Sequence, residues 1–191
     1  MALRIPVKIG NITNLSDARY GAGMGVDYLG FPIGHGLSLE KFKDIAGWLS
    51  GPQLIVEVEE LHPGWQPPLP DFIYQIDVAQ ANAIGSLAPT TRLVISGTGP
   101  ELLNALPYLE STEAEILFLE VTDPNSLENI HLDRLAGSFN VWIAVTNTSE
   151  LDRLAQRPFS GIALRGSEEA RTGLKDYGTL AEILETLEVN S

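Results

Sequence analysis

The amino-acid sequence predicts an α/β fold, a closed (β/α)8 TIM barrel in pared-down form. The first observation is a set of eight short apolar runs: Ile5 to Ile9, Tyr28 to Phe31, Leu54 to Val58, Phe72 to Ile76, Leu93 to Ile95, Ile116 to Leu119, Val141 to Val145 and Ile162 to Leu164. The second is that stretches with helical signals separate most of them. Strands that alternate with helices pair in parallel through right-handed crossovers. Eight such units are the number that closes a barrel. The same alternation also fits an open, doubly wound sheet, the second architecture the sequence allows.

The elements follow in order. After the first run, Asn14 is placed to cap a helix, with Asp17 at the third position as in a capping box. After the second run, Ser38 precedes Leu39, Phe42, Ile45, Ala46 and Leu49, which recur at helical spacing. The third crossover differs. Residues 61–71 read LHPGWQPPLPD, with four prolines in eleven residues. Proline lacks the N–H and clashes with the preceding turn, so no regular helix fits, and an irregular loop is expected. Pro100 sits at a natural first-turn position before Leu102, Leu103 and Leu106. Glu168 and Glu169 read as the solvated start of a helix, where the dipole favours acids. Leu180, Ile183, Leu184 and Leu187 form the stripe of a last helix. The fold typically takes about 250 residues, so 191 residues leave room for little beyond the barrel. Residues 1–191 read as a single domain, without a linker or a short-period repeat.

Composition narrows the function. With 44% hydrophobic residues the chain can bury a real core. Twelve basic against twenty-five acidic residues give a net charge of -13. Such a surface repels phosphate backbones and anionic lipid, so neither nucleic acid nor membrane is an expected partner. There is no cysteine, which removes disulfides, thiolate metal sites and thiol catalysis together. The N-terminal stretch lacks the apolar segment of a signal peptide, and no run approaches a membrane span. A cytoplasmic location is the expectation. His62 and His131 are far apart in sequence, no metal-ligand spacing appears, and no metal site is expected.

The two ends of the chain carry a resemblance. Lys8-Ile9, Ile12-Thr13, Asp17-Ala18, Gly25, Asp27 and Gly30-Phe31 fall in register with a pattern K-I-C-G-x-T, then D-A, then A-G-A-D-x-x-G-F. Gly161 to Leu164, Glu169 and Gly173-Leu174-Lys175-Asp176 match a second pattern, G-V-D-V-S-S-G-V-E followed by P-G-x-K-D. In between, Gln75-Ile76-Asp77 stands for Q-L-H, and Phe118-Leu119-Glu120 for L-L-D. These patterns are those of phosphoribosylanthranilate isomerase, and the chain resembles that family along its whole length.

The resemblance implies a (β/α)8 barrel of tryptophan biosynthesis and an Amadori-type rearrangement of an aminoaldose to an aminoketose, without a cofactor. In the family a cysteine on the first strand is the base and an aspartate on the sixth is the acid. Glycine-rich backbone after the seventh and eighth strands holds the substrate phosphate. Several of these positions differ here. The cysteine position is Gly10, which has no side chain, and the following glycine is Asn11. The acid position is Glu120. The glycine pair after the seventh strand has become Val145-Thr146, whose branched side chains crowd a phosphate. The glycine loop after the sixth strand is replaced by Thr122-Asp123-Pro124. The family's own activity is therefore expected to be weak or lost. The alternative is a non-catalytic barrel that binds a small molecule or serves as a partner subunit. A small-molecule ligand and a monomer or homodimer are the expected partners.

Alternation gives the remaining candidates. With Ile9, Ile76 and Leu119 facing helices, Lys8, Gln75, Asp77 and Glu120 point into the barrel. Buried charges need partners, so Lys8 either pairs with Asp77 or Glu120 in a structural network or lines a working pocket with them. His35, in the loop after the second run, is either a surface histidine between two glycines or a replacement base. Gly97-Thr98-Gly99 reads as a turn or a small anion nest. The candidates for proton transfer are Glu120, Asp77 and His35. Those for substrate binding are Lys8, Asn11, Gln75, Asn147, Arg165 and Gly166.

Overall fold

The structure is a computed structural model, and it describes residues 2–189 other than 35, 63–64, 70, 127–128, 155–156, 167–168, 172–173 and 176–177. Its strands are β1 (Val7–Gly10), β2 (Tyr28–Ile33), β3 (Gln53–Val58), β4 (Ile73–Asp77), β5 (Arg92–Gly97), β6 (Glu115–Val121), β7 (Val141–Ala144) and β8 (Gly161–Arg165). They pair in chain order, and β1 pairs in parallel with β8. The barrel is closed, which excludes the open sheet. Each expected apolar run lies on a strand, to within a few residues at the ends.

Helices α1 (Leu15–Gly23), α2 (Leu39–Ala46), α3 (Gly99–Glu110), α4 (Asn129–Ala136), α5 (Thr148–Leu154) and α6 (Gly178–Thr186) cover the outside. The caps read from sequence form. Asn14 Oδ1 accepts from the Asp17 N–H at 3.0 Å, and Ser38 Oγ accepts from the Lys41 N–H at 3.2 Å. Ile9, Ile76 and Leu119 pack outward into the layer between strands and helices. Among the described residues no helix is long and apolar enough to cross a membrane.

The third crossover, residues 59–72, contains no helix among its described residues. Tyr74 on β4 stitches this loop down. Its buried hydroxyl accepts from the Leu69 N–H at 2.8 Å and donates to the Leu69 carbonyl at 2.7 Å. Trp65 packs edge-on against the same ring at 5.3 Å. Gln80 spans the loop's start, accepting from the Leu61 N–H and donating to the Glu59 carbonyl, each at 2.6 Å.

The fourth crossover, for which the sequence reading gives no helix, is a 3-10 helix, Val78–Ser86. One element departs from the sequence reading: Glu169 does not open a helix. It begins β9 (Glu169–Arg171), which pairs antiparallel with β10 (Leu174–Lys175). A pair of acidic residues without an apolar stripe gives a helix nothing to pack, and the backbone satisfies itself by pairing instead. Glu168 lies outside the described residues.

Inside the barrel, toward the strand N-termini, the filling is aromatic. Phe118 stacks on Trp142 at 4.3 Å, and Tyr28 meets both rings edge-on at 5.4 Å. Ile55, Ile73 and Val94 complete this layer. Gly161 makes room for it, since a Cβ there would lie 2.5 Å from the Trp142 ring. Gly161→Ala is therefore expected to cost about 1–3 kcal/mol, read as a lower denaturant midpoint at unchanged slope. An unchanged midpoint would show that the aromatic layer has slack.

Candidate functional site

The layer above the aromatic one is charged. Lys8, on β1, is 2% exposed. Its ammonium donates to Glu120 Oε2 at 2.6 Å and to the Gln75 side-chain oxygen, and it pairs with Glu57 Oε1 at 3.2 Å. An ammonium has three protons, and these three partners use them. Burial pushes the Lys8 pKa down. Attraction from Glu120 and Glu57, with their hydrogen bonds, outweighs that and leaves it above the ordinary lysine value. Lys8 is thus held charged and is no proton acceptor.

Alternation on each strand explains the grouping. Glu57 follows Ile55 on the inner face of β3, Gln75 follows Ile73 on β4, and Glu120 follows Phe118 on β6. Glu57 and Gln75 are register partners. Glu57 is the residue that sequence reading missed. The signal was present, because a lone carboxylate in Leu54-Ile55-Val56-Glu57-Val58 shares parity with a buried isoleucine.

Gly10 and Gly30 give Glu57 its place. A Cβ on Gly10 would lie 2.5 Å from Glu57 Oε1, and one on Gly30 would lie 2.2 Å from it. The carboxylate occupies the volume that a side chain at position 10 would need. Asn11 follows with φ of 59°, the left-handed region in which asparagine is tolerated better than most residues. Its backbone N–H thereby reaches Glu57 Oε2 at 2.9 Å. A cavity of about 240 Å³ opens over this group at the C-terminal ends of the strands, lined also by Leu164 and Arg165.

The remaining candidates are placed as follows. Asp77 is exposed, and its carboxylate accepts from the Ala79 N–H at 2.8 Å, capping the 3-10 helix. It is not a partner of Lys8. His35 lies outside the described residues. Arg165 stands exposed at the rim. Asn147 caps α5, accepting from the Glu150 N–H at 3.1 Å. Gly166 is buried, and its N–H donates to the Gly10 carbonyl at 2.8 Å.

Three backbone donors on this face, among the described residues, are already used. The Thr146 N–H donates to the Glu150 carboxylate at 2.6 Å. In the Gly97-Thr98-Gly99 turn, the Thr98 N–H donates to Glu101 Oε2 at 2.8 Å, and the Gly99 N–H to Ser126 Oγ at 3.0 Å. Hydrogen bonds from the Thr98 hydroxyl and N–H hold the Glu101 carboxyl below its usual range. Beside Arg165 a second cavity of about 540 Å³ has mainly apolar walls from Ala144, Val145, Ala163, Leu164, Leu180 and Ile183. Among the described residues no group of three His, Asp or Glu side chains could hold a metal ion.

No protein-family model matches the chain, and no curated protein matches it. Solved structures do. The phosphoribosylanthranilate isomerase of Thermus thermophilus superposes with a TM-score of 0.66 at 19% identity, over 96% of this chain and 98% of that one. A phosphoribosylanthranilate isomerase in complex with reduced 1-(o-carboxyphenylamino)-1-deoxyribulose 5-phosphate gives 0.64 at 16% identity, over 95% and 97%. Monomers generated from the dimeric enzyme of Thermotoga maritima give 0.64 at 17%, over 96% and 98%. From end to end, the chain has the fold of the phosphoribosylanthranilate isomerases, in a divergent sequence.

Proposed function

We propose that this chain is a phosphoribosylanthranilate isomerase-like barrel in which that family's Amadori-type isomerisation is weak or lost, and whose mouth serves as a small-molecule pocket. The observation that carries this reading is the Glu57 carboxylate in the space beside Gly10. The first-strand base is absent, and its volume is filled by a group bound to Lys8 and to the Asn11 N–H. The phosphate half of the family's site fares no better. The Thr146 N–H is capped by Glu150, and the Gly166 N–H belongs to the barrel. A positioned base typically contributes about 10²–10⁴-fold, and remote binding secures the geometry on which the rest depends.

A second reading, isomerisation with relocated groups, has one observation in its favour. Glu57 and Glu120 flank Lys8 at the mouth and form a pair of carboxylates with access to the cavity. Turnover separates the two readings. Purified protein given freshly made phosphoribosylanthranilate is expected to leave its fluorescence decaying at the background rate. Typical enzymes reach about 10 s⁻¹, and turnover approaching about 1 s⁻¹ would establish the second reading. Gly10→Cys is expected to restore nothing and to destabilise the fold by about 1–3 kcal/mol through its clash with Glu57. A variant that gained turnover would show that Glu57 yields and that the missing thiol was the main defect.

The charged layer makes its own prediction. Lys8→Met leaves the buried Glu120 and the half-buried Glu57 side by side without their cation, which is expected to cost about 3–5 kcal/mol at neutral pH. Because the folded pKa of Lys8 is raised, its stabilisation is fully present below the ordinary lysine value and is lost as pH climbs through the folded value. The difference between the two proteins in urea unfolding should therefore hold from neutral pH to about 10 and shrink only above the ordinary lysine range. A difference that vanished below pH 9 would contradict the raised pKa.

A further inference from the structure

Resting on the reading of the mouth as a small-molecule pocket, we infer that its ligand is neutral and hydroxylated, with an apolar substituent: a glycoside-like molecule without phosphate or carboxylate. Two features carry this. The first is the free valence of the polar cavity. Glu120 is 8% exposed, and Lys8 takes its Oε2. No donor among the described residues reaches its other oxygen, Oε1. A buried carboxylate oxygen without a donor calls for one. Lys8 also occupies the Gln75 oxygen, which fixes the amide orientation and leaves the Gln75 NH₂ as a donor without an acceptor among the described residues. An acceptor and a donor on one cavity wall match a hydroxyl, which does both.

Charge argues against an anion. The buried cation has no proton left to give, and the backbone donors of Asn11 and Thr146 already hold carboxylates. Among the described residues, Arg165 is the one cationic wall residue not committed to the cluster, and it is exposed, where water screens it. An ammonium head is disfavoured as well, since Lys8 already lies between the two carboxylates.

The second feature is the neighbouring cavity. It shares Leu164 and Arg165 with the polar one, so a single ligand can span both. Its walls of Ala144, Val145, Leu180 and Ile183 suit an uncharged apolar group. The polar cavity, at about 240 Å³, is large enough for one sugar ring and too small for two.

The test is titration of the labelled protein by amide NMR with four probes: phenyl β-D-glucopyranoside, methyl β-D-glucopyranoside, glucose 6-phosphate and inorganic phosphate. Saturable shifts are expected at Asn11, Ala163 and Gly166 with the two glucosides. The phenyl compound is expected to bind at least about tenfold more tightly than the methyl one, for the apolar area it buries. Ala144→Leu, which leaves the charged layer intact, should remove that preference while keeping the methyl glucoside's affinity. Glu120→Gln should weaken both glucosides about tenfold. Phosphate or glucose 6-phosphate binding as tightly as the phenyl glucoside would overturn the inference, as would shifts with none of the four. The isomerase assay is read separately. Silent probes with no turnover sink the ligand class alone, and turnover of phosphoribosylanthranilate sinks the reading beneath it.

Discussion

The ammonium of Lys8, buried between Glu57, Glu120 and Gln75, organises the mouth of this barrel. An ammonium cannot be buried without partners, and two carboxylates cannot share a small cavity without a cation. Three strands besides β1 each supply one partner, so the network ties β3, β4 and β6 to the centre of the barrel. Below it lies the aromatic layer of Phe118, Trp142 and Tyr28, which excludes water and sharpens every charge interaction above.

That arrangement has consequences outward. Once Glu57 is drawn to Lys8, it needs the space beside Gly10 and Gly30 and the donor at Asn11. The left-handed turn at Asn11 and the lack of a side chain at position 10 form one unit with the charged layer. Similar self-sufficiency recurs along the same face. Glu150 satisfies Thr146, and Glu101 satisfies Thr98. A fold that places many backbone donors at one end of its strands has here supplied the acceptors from its own chain. This accords with the proposed uncharged ligand and with the strongly acidic composition of the chain.

The prolines of the third crossover and the short 3-10 fourth crossover show how a barrel fits into so short a chain. Among the described residues neither connection contributes an α-helix, yet the fourth buries Val78, Ala81, Ile84 and Leu87, and Leu61, Trp65 and Leu69 of the third pack half-buried against the core, where Tyr74 and Gln80 pin the loop backbone. Closure of the strands supplies the remaining order.

Much of this was legible in the sequence, and the reason is periodicity. Apolar runs with helical signals between them fix the number and order of strands. Asn14 and Ser38 fix helix starts through local hydrogen bonds. Parity within a strand puts Lys8, Gln75 and Glu120 on the inner face. These are one-dimensional signals, settled within a few residues. What only the tertiary structure decided is who meets whom across the barrel. Asp77 and Glu120 looked equivalent as partners for Lys8, but Asp77 stands at a strand end where the Ala79 N–H is nearer. Glu57 lies 49 positions from Lys8 and meets it because closure brings their strands around one cavity. Gly10 marked the absence of a side chain, and the structure showed the carboxylate that takes its place.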